Sequence, residues 1–552
     1  MGKPEDRTQI VRTSIDIAMP PGHSNQKESS LPSHRPRSCQ RQRAFVAAIS
    51  LLATFPVWLA HYPPLVDLPQ HMAQIALLRD LHDPGFRFAQ LFEVNWFTPY
   101  LIGYMAVYVL VPLLGLVTAG KVVLSAALAG LPVCTALLLE ETGADSFWAV
   151  LTIPCMYGFS YQWGFLNFLV AVPIGLAFLV VIMRNLRAPL PQGQILAAIL
   201  AALLFFSHVL MFALSVLAAA AYVLLESRDV RRTARAMLPV ACVLPAAVLW
   251  YVRIQRDVRT HISLLWDLDW FRPEGAVSLG GRLNGFLPRM LGVEASAICL
   301  LMGAVLFILP LLAGARPAKR AAVWSPLLIV VCVLLFCPTG AMGTEFLYQR
   351  FTVLALPFYL CVLAVPRATP PLGRVVAILF VGFWVILHGI RTLRCNADAQ
   401  GFAKVLEAME PNQRALSLIF NPWPGEQPPS ASGGLIAFFA PVTDLVRAPV
   451  FVHYPEWYSA MKMGVVDVSF ALVYSELVIY RSDRMPAVEL GFELEPERFS
   501  WSRVDGGLYR YFIFRAPADP GASLFRNAPC QVVLVAHSNE WWLYEKDPQC
   551  RR

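Results

Sequence analysis

Apolar segments of about the length needed to cross a bilayer follow one another from residue 44 to residue 391, separated by short polar connections. A membrane-spanning α-helix takes roughly 20 residues. Eleven spans are predicted, over 44–60, 121–139, 147–161, 163–183, 194–208, 209–225, 236–252, 294–313, 321–337, 351–365 and 375–391. The pattern therefore predicts an all-α polytopic membrane domain over 44–391.

The topology of one further apolar segment, 99–117, is decided by charges elsewhere in the chain. Lysine and arginine are enriched in cytoplasmic loops, and the basic connections alternate along the chain only if 99–117 is not a crossing. These connections carry Arg184 and Arg187, then Arg228, Arg231, Arg232 and Arg235, then Arg316, Lys319 and Arg320, then Arg367 and Arg374. We therefore expect 99–117 to lie along or dip into the outer face, broken at Pro112, within a long first external loop over 61–120. The acidic connection over 140–145 is then expected on the inner face with the arginines.

The amino-terminal end of the chain differs in character from the apolar region. Residues 1–43 are rich in Ser, Pro, Gln and Arg and have no apolar periodicity, which predicts a disordered cytoplasmic tail. No A-x-A-like cleavage site follows 44–60, so this span is interpreted as a signal anchor. Eleven spans then place the carboxyl terminus on the outer side of the membrane, which is the periplasmic side if the protein belongs to a bacterial inner membrane, as the resemblance given below implies.

The carboxyl-terminal region, 392–552, is polar and predicts a separate small α/β domain outside the membrane. The sequence "NADAQGFAKVLEAM" predicts a helix over 396–409 with Asn396 as its cap. Strands are predicted over 414–420 and 509–516, and a hairpin over 530–546. No cofactor fingerprint is present in this domain.

Composition agrees with a membrane protein. Of the 552 residues, 57% are hydrophobic and only 15% are charged, and the mean hydropathy is +0.54, more apolar surface than a soluble fold of this size hides. The net charge of +8 is more typical of cytoplasmic loops here than of nucleic-acid binding. The eleven cysteines form no C-x-x-C pair, and Cys530 and Cys550 can form a disulfide if the polar domain is extracytoplasmic.

Ionisable and aromatic residues are found at the ends of the spans that this topology places outside. The stretch "HYPPLVDLPQH" (61–71) puts Asp67 and His71 at the start of the first external loop. Other candidates at outer turns are Tyr161, Trp163, Asn167, His208, Asp269, Arg282, Glu345 and Arg350. Ionisable groups kept near a membrane at an energetic cost are candidates for function.

Each candidate also has a structural alternative. His208 can bond a neighbouring helix carbonyl, Tyr161 and Trp163 can be interfacial aromatics, and Arg350 can pair with Glu345. Asp269 can belong to a solvated loop.

Motifs of other enzyme classes are missing: the sequence has no P-loop, no H-E-x-x-H and no G-x-S-x-G, so nucleotide hydrolysis, zinc proteolysis and elbow-serine chemistry have no support.

The motifs "PPLVDLPQH", "YQWGFLNF", "FFSH" and "YQRF", together with the external first loop and the carboxyl-terminal domain, resemble the GT-C superfamily of membrane glycosyltransferases, in particular a bacterial branch of GT-C-like proteins. The resemblance covers about residues 44–391. It implies a transferase that uses a sugar carried on a polyprenyl phosphate and an extracytoplasmic acceptor, which is an envelope glycan, a lipid or a protein.

Carried over by position, Asp67 matches the catalytic acid of the family's first loop. Two departures from the family pattern bear on metal use. Leu68 follows Asp67 where many members have a second acid, and Trp163 and Asn167 stand where an acidic pair is often found. These departures favour a metal-free transfer, with no cofactor, over a metal-dependent one.

The chemistry of the residues supports this interpretation independently. A sugar hydroxyl is a poor nucleophile and needs a base within hydrogen-bond reach; Asp67 is the predicted base, with His71 one helical turn later on the same face. The leaving lipid phosphate needs donors, and the forked guanidinium of Arg350 suits it best, followed by Arg282 and His208. Aromatic faces such as Trp163 suit sugar rings and isoprenoid chains.

Two other classes of function stay open. One is a polytopic transporter or flippase, which usually shows internal repeats, and the other is a non-catalytic partner in envelope polysaccharide assembly.

Overall fold

The computed structural model describes residues 37–256, 278–340, 345–364, 370–425, 448–467, 477–481, 483–484 and 499–549. Its α-helices are α1 Arg37–Leu52, α2 Leu68–Asp80, α3 Leu101–Leu114, α4 Leu116–Thr142, α5 Phe159–Gln162, α6 Leu166–Arg187, α7 Pro191–Ser207, α8 Val209–Ser227, α9 Val230–Ala241, α10 Leu244–Arg256, α11 Leu279–Asn284, α12 Phe286–Leu291, α13 Ala297–Leu312, α14 Ala321–Phe336, α15 Leu347–Arg350, α16 Thr352–Cys361, α17 Pro371–Ala408, α18 Trp457–Lys462 and α19 Gly521–Leu524. Its strands are β1 Phe92–Val94, β2 Arg316–Pro317, β3 Leu363–Ala364, β4 Arg414–Ile419, β5 Val465–Asp467, β6 Val478–Tyr480, β7 Tyr511–Arg515, β8 Val532–Ser538 and β9 Trp541–Lys546.

The predicted multi-pass helical domain is confirmed, but the number of eleven spans is not. Among the described residues, the helices α4, α6, α8 and α17 are long and apolar enough to cross a membrane. The helices α9 and α10 pass the same test together and are bent by 57° at their junction, so they add a fifth span if they are counted as one. Shorter apolar helices, including α7, α13 and α14, occupy other predicted spans.

Three predicted segments take a different form in the structure. The span predicted over 147–161 consists of two 3₁₀ helices, Ser146–Thr152 and Pro154–Tyr157. Pro154 begins the second helix, a position where its missing N–H leaves no helical hydrogen bond unmade. The tail predicted to be disordered to residue 43 is helical from Arg37 onward in α1, since its Arg and Gln residues are good helix formers; residues 1–36 lie outside the described residues. The outer segment predicted over 99–117 forms α3, which ends not at Pro112 but at Gly115, whose φ of +74° suits a residue without a Cβ.

The last span and the helix predicted over 396–409 are one continuous helix. Helix α17 runs for 38 residues, from Pro371 to Ala408. The predicted cap at Asn396 is therefore wrong, and the Asn396 side chain instead accepts a hydrogen bond from the His61 backbone N–H at 3.3 Å. The polar residues around Asn396 end the apolar run without a proline or glycine that would end the helix.

Basic and acidic residues predicted to share the inner face do lie together, at one end of the helical domain. Arg184 and Arg187, in the last turn of α6, each donate to the Glu141 carboxylate at 2.7 Å. Other pairs at this end are Arg43 with Glu140, and Arg374 with Asp145 at 3.7 Å. The carboxylates of the connection over 140–145 therefore neutralise arginines of the neighbouring segments.

The carboxyl-terminal region contains the predicted strands, and they form one mixed sheet. Its strand order is β5-β4-β7-β9-β8, with β4 parallel to β5 and β7, and β9 antiparallel to β7 and β8. The predicted hairpin over 530–546 is confirmed as β8 and β9. Cys530 is disulfide-bonded, and Cys550 lies outside the described residues.

This domain rests on the first external loop. Strand β1 of that loop pairs antiparallel with β6, and the Gln74 side chain of α2 accepts a hydrogen bond from the Val478 N–H at 2.7 Å. Helix α18 packs against α2. The loop that carries Asp67 and the carboxyl-terminal domain are therefore on the same side of the helical domain.

Candidate functional site

Asp67 lies where the first external loop meets the turn between α5 and α6. Its N–H donates to the Trp163 carbonyl at 2.9 Å. The next residue, Gly164, has φ +73°, and a Cβ there would lie 2.9 Å from the Leu68 nitrogen. Only a glycine allows this approach, since it combines the left-handed backbone with the absence of a side chain. The two sequence motifs "PPLVDLPQH" and "YQWGFLNF" thus meet at the start of α2.

The Asp67 carboxylate does not cap α2. The residue stands at the N-cap position with helical backbone angles, φ −90° and ψ −7°, and its side chain makes no cap hydrogen bond. Capping residues usually have extended backbone angles and a side chain that accepts from the second or third N–H of the helix. The structural alternative, in which Asp67 serves only to start the helix, therefore has no support from its geometry.

The surroundings of Asp67 make its carboxyl group a weaker acid than usual. Burial by the surrounding protein raises its pKa to about 6, although the charges of His453 and Arg350 oppose the shift and that of Glu456 adds to it. A carboxylate with a pKa near the working pH is suited to general base catalysis, because it is ionised at neutral pH and still takes up a proton.

His71, the second predicted catalytic residue, is held by a tyrosine from α3. Its Nδ1 shares a hydrogen bond of 2.9 Å with the Tyr104 hydroxyl, and its backbone N–H donates to the Asp67 carbonyl at 3.0 Å. Burial, followed by the charges of His453 and Arg350, lowers the pKa of His71 to about 3. His71 is therefore neutral at physiological pH, and its chemistry here is hydrogen bonding rather than proton donation as a cation.

Arg350 presents a buried positive charge to the same region. Its guanidinium carbon lies 3.8 Å from the centre of the Phe165 ring, and its Nη2 donates to the Glu345 carbonyl at 3.0 Å. The side chain is only 9% exposed. Within the described part of the chain, no carboxylate forms an ion pair with Arg350, and its Nε has no hydrogen-bond partner. A buried charge without a direct counter-ion costs several kcal/mol, so this arrangement favours an anion as ligand.

His208 and Asn167 add unsatisfied polar groups near Arg350. The Nε2 of His208 lies 3.4 Å from the Arg350 Nη1, and because arginine only donates, Nε2 is the acceptor and Nδ1 carries the proton. Among the described residues, neither this Nδ1 nor the two side-chain polar atoms of Asn167 has a hydrogen-bond partner. Buried polar groups are normally paired, and exceptions in a native structure call for a ligand or water.

The other predicted site residues have these positions. Trp163 packs against the Phe346 ring, with ring centres 4.4 Å apart, and Tyr161 lines a cavity with Pro64, Leu65 and His388. The Glu345 carbonyl accepts the hydrogen bond from Arg350, and no ion pair joins the Glu345 carboxylate to Arg350 among the described residues. Arg282 donates to the Leu334 and Cys337 carbonyls at the end of α14 and stacks on Tyr348 at 4.0 Å. Asp269, like Asp267 and Trp270, lies outside the described residues.

Sequence reasoning missed two residues of the carboxyl-terminal domain. The charges of His453 and Glu456 act on Asp67, and His453 Nδ1 lies 3.2 Å from Glu456 Oε1. Nearby, the Tyr62 ring stacks on Trp457 with centres 4.3 Å apart. The motif "HYPEW", with a histidine and an acid three residues apart among aromatics, could have indicated these two residues. No local pattern connects it to a loop almost four hundred residues earlier in the chain.

The groups described above bring an acid, a buried guanidinium and unpaired polar atoms into one region. Among the described residues, no group of three or more His, Cys, Asp or Glu side chains could hold a metal ion. The arrangement is able to take a proton at Asp67 and to bind an anionic group at Arg350.

Comparisons with known proteins give a likeness in fold. No protein-family model matches the chain, and no curated protein matches it. Two solved structures are similar: ArnT from Cupriavidus metallidurans in the apo state, with 13% identity and a TM-score of 0.48, and the same protein bound to undecaprenyl phosphate, with 11% identity and a TM-score of 0.49. Each match covers 92% of this chain and 98% of the ArnT chain.

Proposed function

We propose that this protein is a membrane glycosyltransferase that moves a sugar from a polyprenyl-phosphate-linked donor to an extracytoplasmic acceptor, with Asp67 as the general base. The observation that carries the proposal is that Asp67 lies within electrostatic reach of the buried Arg350 guanidinium, whose Nε has no hydrogen-bond partner among the described residues. This site lies beside the first external loop, under a polar domain, in a chain that otherwise consists largely of apolar helices.

The proposed reaction assigns each group one task. The acceptor hydroxyl oxygen attacks the anomeric carbon of the donor sugar, and Asp67 takes the hydroxyl proton. The bond between the anomeric carbon and the phosphate oxygen breaks. The electron pair stays on that oxygen, and the lipid phosphate leaves. An ionised Asp67 supplies the base for this step, since a general base must be unprotonated before it acts.

Arg350 is proposed to bind the donor phosphate and to stabilise the charge that develops on it as it leaves. A guanidinium offers parallel N–H donors that match phosphate oxygens. Arg350 is positioned for this by the Phe165 ring on one face and by the Glu345 carbonyl. The Nδ1–H of His208 is the next donor available in the same region.

A binding experiment tests the lipid part of the proposal before any sugar is known. The purified full-length protein in detergent is equilibrated with undecaprenyl phosphate or with undecaprenol, which lacks the phosphate, and bound lipid is counted by native mass spectrometry. We expect the phosphate to raise occupancy at least tenfold, because it brings a charge-assisted contact to a buried cation. Equal occupancy by the two lipids would remove Arg350 as a phosphate site.

A further inference from the structure

The carboxyl-terminal domain contributes a short segment that packs directly on the helix bearing Asp67. The 3₁₀ helix Tyr454–Glu456 and helix α18 both pack against α2. Upstream of Asp67, the Tyr62 ring stacks on Trp457 and meets the Tyr454 ring at 6.3 Å. The pairing of β1 with β6 fixes the same two parts of the chain a second time. The segment after residue 452 is therefore held rigidly beside the candidate site.

This segment carries a buried histidine and a buried carboxylate in contact. His453 and Glu456 are 5% and 3% exposed, and His453 Nδ1 lies 3.2 Å from Glu456 Oε1. A carboxylate that accepts from Nδ1–H fixes the orientation of an imidazole and stabilises its protonated form. The pair lies three residues apart in a turn of the backbone, so its geometry is set by local structure.

The groups near Asp67 come from three parts of the chain. The charges that act on its carboxylate are those of Arg350 in α15 and of His453 and Glu456 in the carboxyl-terminal domain. The backbone N–H of His71 in α2 donates to the Asp67 carbonyl. Burial lowers the pKa of His453, but the hydrogen bond and charge of Glu456, together with the charge of Asp67, more than offset this and leave it raised above its usual value. A cation is therefore available beside Asp67 in the pH range where Asp67 titrates.

We propose that the His453–Glu456 pair makes the carboxyl-terminal domain part of the reaction site, with His453 as a positioning residue that keeps the Asp67 carboxylate ionised. The inference rests on the proposed function and extends it to a second domain. His453 acts through Asp67 and not on the sugar. The His453 imidazolium stabilises the carboxylate before the acceptor arrives, and Glu456 holds the ring in place.

The test replaces the charge while keeping the contact. In His453→Asn, the amide nitrogen lies near the position of Nδ1 and can still donate to Glu456, but it carries no charge. Loss of the cation is expected to move the acid limb of kcat/KM upward by about one pH unit. Transfer then falls about fivefold at pH 6 and is nearly unchanged at pH 8, where Asp67 is ionised in either protein. The control is His537→Asn, an exposed histidine of the same domain, which should leave the pH profile unchanged.

A second measurement reports on Asp67 without activity. Because the folded pKa of Asp67, about 6, lies above its usual 3.8, the carboxyl group destabilises the folded protein progressively as pH rises from about 4 to 6 and no further above that. The Tm difference between the parent protein and Asp67→Asn should level off near pH 6, and in a His453→Asn background near pH 7. If His453→Asn expresses poorly, His453→Gln takes its place.

The outcomes separate the inference from the function it rests on. An active protein whose acid limb and Tm difference do not move in the His453 variant would overturn the inference alone. An equal loss of transfer at every pH would show a merely structural role and would also overturn it. Wild-type turnover in Asp67→Asn would instead overturn the proposed function.

Discussion

The Asp67 N–H donates to the Trp163 carbonyl at 2.9 Å, and this bond joins the two segments that carry most of the candidate site. One segment brings the acid and His71, and the other leads through Phe165 to Asn167. Because Gly164 follows Trp163 with φ +73°, the turn closes against the first residue of α2. The position of the carboxylate thus depends on a residue that has no side chain.

Gly164→Ala should destabilise the protein and displace Asp67. A Cβ at this position would lie 2.9 Å from the Leu68 nitrogen and 3.2 Å from the Asp67 nitrogen, and a left-handed backbone alone costs an L-residue about 1–2 kcal/mol. Tm in detergent should therefore fall by several degrees and transfer should fall with it. The control is Gly382→Ala in α17, where a Cβ meets nothing within 4 Å and helix propensity favours alanine. An unchanged Tm in Gly164→Ala would contradict the packing described here.

Arg350→Lys tests the phosphate site, since it keeps the charge but loses the fork. A lysine cannot stack flat on Phe165 while donating to the Glu345 carbonyl and to a phosphate. We expect transfer to fall at least about tenfold, at matched protein levels and with Tm little changed. Arg526→Lys, at an exposed position of the carboxyl-terminal domain, is the matched control. Full activity in Arg350→Lys would take Arg350 out of the site.

The pH dependence of kcat/KM should report Asp67. Its pKa is raised to about 6, mainly by burial, so the base is lost as pH falls through 6 and transfer should decrease tenfold for each further unit. The measurement covers pH 4 to 9 in liposomes of uncharged lipid, which avoids a surface potential. An acid limb near pH 4 would mean that the acting carboxyl group is solvated and is not Asp67 in the environment described.

The proposed orientation of the site in the membrane can be measured by cysteine labelling. The alternation of basic loops predicts that residue 67 and the domain over 392–552 lie outside, and that the loop over 228–235 lies inside. Single cysteines are placed at exposed positions. An impermeant reagent should label a cysteine at position 83 in intact cells, and a cysteine at position 231 only after permeabilisation. Labelling of position 83 only in permeabilised cells would reverse the placement of the site.

Local features of the fold were predictable from the sequence where one short-range signal dominates. The hairpin over 530–546 was evident from its two runs of strand-forming residues, and α6 and α8 were evident from their apolar length. Hydropathy gave a wrong helix end where a helix extends beyond its apolar part. It ended the helix near residue 391, whereas α17 continues to Ala408 because no residue there breaks it. It also predicted a straight span over 147–161, where the structure has two short 3₁₀ helices.

Within the candidate site, the residues with a chemical signature at a span boundary were predictable. Asp67, His208 and Arg350 were each identifiable as ionisable groups at the end of an apolar run. His453 was not, because its relation to Asp67 depends on how the carboxyl-terminal domain packs on α2. Contacts between segments so far apart in the chain follow from tertiary packing, which no local pattern encodes. The covariation that would have revealed them requires an alignment of related sequences.

Turnover of Asp67→Asn is the most direct test of the central claim, that Asp67 is the general base of a glycosyl transfer. The asparagine keeps the shape and hydrogen bonding of the side chain but takes no proton, so release of undecaprenyl phosphate from a panel of undecaprenyl-phosphate sugars should fall on the order of 100- to 10,000-fold. Folding should be retained, since the carboxylate caps no helix and the substitution removes a charge from a half-buried position. Asp83→Asn, an exposed acid of the same loop, is the control and should turn over normally. Wild-type release by Asp67→Asn at matched membrane levels would contradict the account.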